Sequence, residues 1–200
     1  EYLALSRWQR LLHRLPRHPL VAHLLLPPIV FLLLYRVPFD TPRHWVREHR
    51  SVHLTNAALA MMFGALALAI GWQEVLTIHL AIMAVASILG VWLFSLQHRF
   101  ETARWARRAT WDPTRASLEA SSWFGLPAVL HWLTGNIGFH HVHHLNTRVP
   151  SYRLGAAHEA VQALWPVKPL SLAGGLRAPW LTLWDEASSR LVSFREAARL

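Results

Sequence analysis

The feature that most constrains the fold of this chain is a pair of long apolar stretches without a charged side chain. Residues 54–72 form the first, which is 19 residues long, and residues 75–96 form the second, which is 22 residues long. A helix needs roughly 20 apolar residues to cross the hydrocarbon core of a bilayer. Only Gln73 and Glu74 separate the two stretches, so the sequence predicts an antiparallel hairpin of two transmembrane helices. The positive mean hydropathy of +0.22 also favours a membrane protein.

The placement of arginines predicts how this hairpin is oriented. Arginines cluster on both sides of it, whereas the turn between its helices has no Lys or Arg. The positive-inside rule therefore places both flanks, and with them the region 97–200, in the cytoplasm. A net charge of +9 is also compatible with nucleic-acid binding, but arginines beside apolar segments fit anionic lipid headgroups better, so we expect no nucleic-acid partner. The flanking arginines are Arg36, Arg43, Arg47 and Arg50 before the hairpin, and Arg99, Arg104, Arg107, Arg108 and Arg115 after it.

A third apolar stretch, residues 19–35, is interrupted by Pro27 and Pro28. If it crossed the membrane, the arginine-rich residues 1–18 would lie outside, against the charge rule. We therefore predict an interfacial or re-entrant segment for residues 19–35. Apolar side chains in residues 1–18 follow one helical stripe and the arginines nearly the opposite one, as in a helix lying in the headgroup plane. Residues 180–200 are predicted to form a final amphipathic helix.

The most distinctive polar feature is a run of histidines. His140, His143 and His144 stand at positions i, i+3 and i+4, which a helix brings to one face. His141 lies about 100° around the helix from His140, at the edge of that face. The chain has no cysteine, so thiolate ligation is excluded, and an all-imidazole cluster suits iron, zinc or copper. His98, just beyond the second apolar stretch, is at the same membrane level and is a candidate fourth ligand.

Other polar residues near these histidines leave alternatives open. Asn136 precedes His140 by four residues and either orients a ligand or a bound water, or acts only as a helix-start residue. Glu101 either accepts a hydrogen bond from an imidazole N–H or pairs with Arg104. The remaining histidines, which include His131 and His158, are scattered along the sequence and receive no assigned role.

The histidine run and its surroundings resemble a known family. The stretch TGNIGFHHVHHLNTRVPSYRL resembles the third histidine box of the membrane fatty acid desaturases, specifically the bacterial acyl-lipid branch of omega-6 or delta-12 type. SLQHRFETARW resembles the QHQFE segment of that branch, and SSWFGLP resembles a stretch between the two. The resemblance extends over essentially the whole chain and is more specific than a bare His-x-x-His-His pattern.

The resemblance implies an all-α membrane fold and a non-haem di-iron centre that uses O₂ to desaturate acyl chains of membrane lipids. His140, His143 and His144 match the third box, and His98 matches an additional family histidine. Asn136 matches a family position whose role the resemblance does not define. Electrons would come from a donor such as ferredoxin, and the iron cofactor would carry the oxidative chemistry.

The first and second histidine boxes of the family, which should precede this region, do not occur in the sequence. We therefore expect residues 1–200 to be the C-terminal portion of a single desaturase domain, inactive as a fragment. A hydroxylase or ketolase of the same histidine-box group is the alternative enzyme. A truncated, non-catalytic membrane protein is the alternative of another class.

The predicted topology is testable because the chain has no cysteine of its own. Single cysteines placed at Gln73 and at Ser117 should react with a membrane-impermeant thiol reagent from opposite sides of the membrane. Only the position 117 cysteine should react from the cytoplasmic side. Reaction of both cysteines from that side would contradict the hairpin.

Overall fold

The computed structural model describes residues 1–199, and it divides the chain into two compact units. One unit is Pro19–Val91, and the other combines Glu1–His18 with the chain from Trp92 onward. Helices predominate in both. The α-helices are α1 (Arg7–Arg14), α2 (Leu26–Leu32), α3 (Val46–Ile70), α4 (Trp72–His98), α5 (Pro113–Glu119), α6 (Ala128–Leu133), α7 (His140–Leu145), α8 (Leu154–Leu164), α9 (Leu172–Arg177) and α10 (Phe194–Ala197). Single 3₁₀ turns are Tyr2–Ala4, Leu15–Arg17, Leu34–Arg36, Arg108–Thr110, Ser151–Arg153 and Ala178–Trp180, and Leu20–Leu25 is a π-helix.

Helix α3, with 25 residues, contains residues 54–70 of the first apolar stretch, and helix α4, with 27 residues, contains all of the second. Both are long and apolar enough to cross a membrane, with mean hydropathies of 1.6 and 2.2 over an 18-residue stretch of each. The predicted turn at Gln73 and Glu74 is wrong in position, because both residues belong to the first turn of α4. The break falls instead at Gly71, whose φ of 97° is a conformation that glycine adopts readily. The rings of Phe63 in α3 and His79 in α4, on either side of this break, lie 4.4 Å apart.

The N-terminal stretch Arg7–Arg36 is a third segment that qualifies as a membrane span by length and composition, with a mean hydropathy of 1.8 over an 18-residue part of it. Its first helix, α1, begins at a capping box in which Ser6 and Gln9 satisfy each other's backbone N–H groups. Pro27 and Pro28 do not end a helix here. They lie in the first turn of α2, where a missing backbone N–H costs little. The interfacial or re-entrant placement of residues 19–35 stays a prediction.

The second unit has a small apolar core beside the last turns of α4. Leu96 and Phe124 are fully buried there together with Ala178. The Trp92 indole N–H donates to the Gly175 carbonyl at 3.2 Å. The strands β1 (Trp123–Phe124) and β2 (Pro169–Leu170) form a short parallel pair. These contacts fix the end of α4 against the C-terminal part of the chain.

The expected C-terminal helix over residues 180–200 is wrong. β3 (Leu181–Asp185) and β4 (Arg190–Ser193) form an antiparallel hairpin, and only the four-residue helix α10 follows it. The Asp185 carboxylate accepts backbone N–H groups at the turn, which favours a hairpin over a helix. Leu181 and Leu191 bury their side chains beside Ala103. The protein is therefore mostly helical but not all-α, because it contains two two-stranded sheets.

Glu101 has neither of its expected partners. Its carboxylate accepts from Arg190 at 2.8 Å and from Arg177 at 3.4 Å, while Arg104 pairs with Glu119 at 2.6 Å. The physical reason is that α4 ends at His98, so Glu101 leaves the helix face and turns toward the C-terminal hairpin. Glu101 thus links the segment after α4 to strand β4 and helix α9.

Candidate metal centre

His98 is the last residue of α4, so its side chain leaves a long apolar helix at the point where the chain turns away. The Nδ1 atom lies 3.3 Å from the carbonyl oxygen of Ala120. A carbonyl oxygen can only accept, so Nδ1 carries the hydrogen and donates it. The neutral ring then has its lone pair on Nε2. Metal-binding histidines commonly show this arrangement, with one ring nitrogen held by a carbonyl and the other free for the ion.

His140 and His144 stand one turn apart on α7, a helix of only six residues. An isolated helix this short is unstable in water, so α7 depends on its neighbours. It packs against α5 and α8, and the preceding segment is fixed by a hydrogen bond from Phe124 N–H to the Gly138 carbonyl at 2.8 Å. Gly138 has no room for a side chain, because a Cβ there would lie 2.6 Å from a carbon of the His131 ring.

Three imidazole nitrogens converge between these two helices. Nε2 of His140 lies 2.9 Å from Nε2 of His98 and 3.0 Å from Nε2 of His144. The three donor atoms all lie within 4.8 Å of one another. Within residues 1–199 no other group of three histidine, aspartate or glutamate side chains brings its donor atoms this close together. The structure therefore brings His98 together with two histidines of the run, and its role as a ligand stays a prediction.

Hydrogen bonds alone do not satisfy these contacts. A ring nitrogen carries either one hydrogen or one lone pair, so Nε2 of His140 can make one well-directed hydrogen bond but has two close neighbours. A cation that accepts the lone pairs of all three nitrogens satisfies both contacts at once. Two nitrogens that share one ion at about 2.1 Å each can be no more than about 4.2 Å apart. The spacings of 2.9 and 3.0 Å from Nε2 of His140 to its two neighbours lie within that limit.

The electrostatic environment also prepares these rings for a metal. Burial, reinforced by repulsion from the neighbouring histidines, lowers the pKa of His140 to about 3. Burial and the His98 and His143 rings lower the pKa of His144 as well. Both rings are therefore neutral at physiological pH, which is the form that binds metal. Imidazole ligands suit iron, zinc and copper, so the donor set fits the iron expected from the sequence without requiring it.

His143 and Asn136 are placed differently from these three histidines. The His143 ring stacks 5.6 Å from the His140 ring, and its nitrogens are outside the converging group. Its role as a ligand stays a prediction. Asn136 is not on the face of α7, because the helix begins only at His140. It adopts a left-handed conformation with φ of 59°, and its amide donates to the Ser151 carbonyl at 3.0 Å.

His158 has no role assigned from the sequence, yet it is buried beside His141 of the histidine run. Its Nδ1 lies 3.0 Å from Nε2 of His141, a fully buried residue. Burial and the His158 ring lower the pKa of His141 to about 4, against the opposing effect of the Ser122 backbone. His131, also without an assigned role, stacks on Phe139 with ring centroids 4.3 Å apart. Sequence spacing gave no signal for either contact, since His158 follows His141 by 17 positions.

The long apolar helices and the converging histidines define a helical protein of membrane type with a site able to hold a metal ion. Comparison with known proteins makes this more specific. The sequence model described as "Fatty acid desaturase" matches residues 2–173. The chain therefore belongs to the fatty acid desaturase family, which confirms the resemblance inferred from its histidine run.

Individual relatives agree with this family. A protein of Bacillus subtilis (strain 168) named "Fatty acid desaturase" is 40% identical over 195 residues, which are 98% of this chain and 55% of that protein. A chloroplastic omega-6 fatty acid desaturase of Arabidopsis thaliana is 36% identical over 55 residues, covering 28% of this chain and 12% of that protein. A chloroplastic omega-6 fatty acid desaturase of Brassica napus is 26% identical over 145 residues, covering 64% of this chain and 32% of that protein. The chain thus spans about half the length of the Bacillus relative. No solved structure gives a significant match.

The converging histidines generate a prediction about metal content. The 200-residue chain should bind about one Co²⁺ through this group, and His98→Ala or His140→Gln should weaken Co²⁺ binding at least about tenfold, because each removes one ligand. His79→Ala is the matched control, since His79 is an α4 histidine outside the group, and it should bind Co²⁺ as the wild type does. Titration followed by visible absorption measures this. Purification of the unmodified chain with two irons would contradict the expected incomplete complement.

Proposed function

We propose that this chain carries part of the di-iron centre of an O₂-dependent desaturase that acts on acyl chains of membrane lipids. The observation that carries the proposal is the convergence of Nε2 from His98, His140 and His144 in a chain of the fatty acid desaturase family. Unactivated methylene groups demand a strong oxidant, and iron with O₂ supplies that oxidising power when bound. The side chains of this chain would supply metal ligands, hold those ligands in a fixed orientation and exclude water from them.

The protein residues in this proposal act by holding lone pairs in fixed directions. The Ala120 carbonyl keeps the hydrogen of His98 on Nδ1, so that Nε2 remains available as a ligand. Burial of His140 excludes water and keeps its ring neutral. His143, one position before His144, would be a further ligand of the centre, as its match to the third histidine box implies. The ligands that complete the two-iron centre belong to the first and second boxes, which this sequence does not contain.

The substrate class in this proposal is supported by the position of His98. It ends a helix of 27 residues that includes an 18-residue stretch with a mean hydropathy of 2.2. A ligand at the end of such a helix lies close to the boundary between hydrocarbon and water if the helix crosses a bilayer. An acyl chain of a membrane lipid can approach the metal from that boundary. We propose that this boundary is the cytoplasmic one, on the basis of the arginine distribution.

The proposed electron donor is a small acidic protein such as ferredoxin. A cavity of about 350 Å³ has His98 in its wall and is also lined by Trp105, Trp111, Arg104 and Arg115. Both tryptophans are largely exposed, at 64% and 59%. Arginines attract an acidic partner and accelerate its association. A donor that docks over this cavity comes close to a metal ligand without crossing the apolar helices.

The proposed activity is testable in a chain completed by a segment that supplies the family's first and second histidine boxes. Expressed with ferredoxin and its reductase, this protein should add double bonds to membrane acyl chains, measured by gas chromatography and mass spectrometry. His143→Ala should abolish the new double bonds while leaving the amount of protein in the membrane unchanged. His79→Ala should retain them.

Two outcomes would contradict this proposal in different ways. Hydroxylated or oxo-substituted chains in place of unsaturated ones would assign the protein to the hydroxylases or ketolases. An unchanged lipid profile from a protein that is well expressed and holds both irons would exclude both enzyme classes and favour a non-catalytic membrane protein.

A further inference from the structure

His141 and His158 form a histidine pair outside the group of three converging imidazoles. His141 Nε2 and His158 Nδ1 are 3.0 Å apart, and the rings meet edge to face with centroids 5.0 Å apart. His141 is fully buried and His158 is 7% exposed. In a pair of neutral imidazoles one nitrogen donates and the other accepts, so the pair forms a single buried hydrogen bond.

His158 is also part of a stack of aromatic rings drawn from several elements. Its ring lies 4.2 Å from Trp123 of β1 and 4.9 Å from Phe139, the residue immediately before α7. The ring of His131 in α6 stacks on Phe139, with centroids 4.3 Å apart. The stack therefore fixes the N-terminal end of α7 between β1, α6 and α8, while the hydrogen bond fixes His141 one residue further along.

This placement controls the rotation of α7. His141 points about 100° away from His140 around the helix axis, so a fixed direction for His141 also sets the direction of His140. Six residues do not determine their own orientation, because such a short helix depends on tertiary contacts. We propose that His158 is a positioning residue that holds His141 and so aims the His140 and His144 nitrogens at His98. The proposal rests on the metal site of the proposed function.

The pair is not a second metal site. It offers two nitrogens, and within residues 1–199 no third histidine or carboxylate donor joins them in a group of the required spacing. A purely packing role for His158 is the simpler alternative, because the ring is buried among aromatic side chains. The two roles differ in one consequence: packing requires only a ring of this size, whereas positioning requires a polar atom at the place of Nδ1.

Three substitutions separate these requirements. His158→Phe keeps the ring stack and removes the hydrogen-bond partner of His141. His158→Asn places an amide atom where Nδ1 stands, and His158→Gln carries the same amide one methylene further. Leu191→Ala, in the separate apolar cluster with Leu181, is the control for lost stability alone. The probe is Co²⁺, titrated into the whole 200-residue chain in detergent, with its visible spectrum and the melting temperature recorded.

We expect the Phe and Gln variants to bind Co²⁺ about tenfold or more weakly than the wild type, with a shifted visible spectrum. The Asn variant should remain within about threefold of the wild type, and Leu191→Ala should melt earlier yet bind Co²⁺ normally. Because Asn and Gln differ only in reach, their comparison decides the question even if the Phe variant does not fold.

Several results would overturn the positioning role. Equal Co²⁺ affinity and spectra for wild type, Asn and Gln variants would show that His158 only packs. The positioning role would also be refuted if His158→Asn weakened Co²⁺ binding as much as His158→Gln. In that case the polar atom that Asn restores at the place of Nδ1 would have had no effect. Failure of the wild-type chain to bind Co²⁺ would remove the metal site and this inference together. Binding that depends on His98 but not on His158 would remove only the inference.

Discussion

The contact between Nε2 of His98 and Nε2 of His140 joins two parts of the chain that are 42 residues apart. Packing around the end of α4 and around α7 supports this contact. The apolar cluster of Leu96, Phe124 and Ala178 fixes the last turns of α4, which end in His98. The short helix α7 brings His140 to meet it. A small shift of either helix would separate the two rings, so the site requires both supports.

Buried imidazoles without carboxylate partners are costly unless their nitrogens are satisfied. His140 and His141 are adjacent in sequence, buried to a similar degree and satisfied in opposite ways. Nε2 of His141 has one partner, Nδ1 of His158, and a single hydrogen bond satisfies these two nitrogens. His140 has two close neighbours, His98 and His144, and hydrogen bonding satisfies only one of them. This difference explains how one short helix combines an anchoring residue with residues suited to a metal.

Much of this arrangement could be predicted from the sequence, because its signals are periodic or dense. Uncharged stretches of 19 and 22 residues predict long apolar helices, and four histidines in five positions predict a site. The contact to His98 followed from its place at the end of an apolar stretch. These predictions depend on local spacing, which a helix preserves.

The errors lie where partners come from distant positions. Glu101 meets Arg190 across 89 positions, and the partner of His141 is the isolated His158. Nothing in the local sequence distinguishes either pair. The hairpin of β3 and β4 was missed because its alternating apolar residues also fit a helical stripe when read over a short window. Tertiary burial decides between the two, and burial is not visible in the sequence alone.

The central claim is that His98, His140 and His144 share one metal ion, and anomalous X-ray diffraction from crystals soaked with Co²⁺ tests it most directly. The account predicts an anomalous peak within about 2.2 Å of Nε2 of all three histidines. A peak that contacts His143 without His98, or no peak between α4 and α7 at saturating Co²⁺, would contradict it.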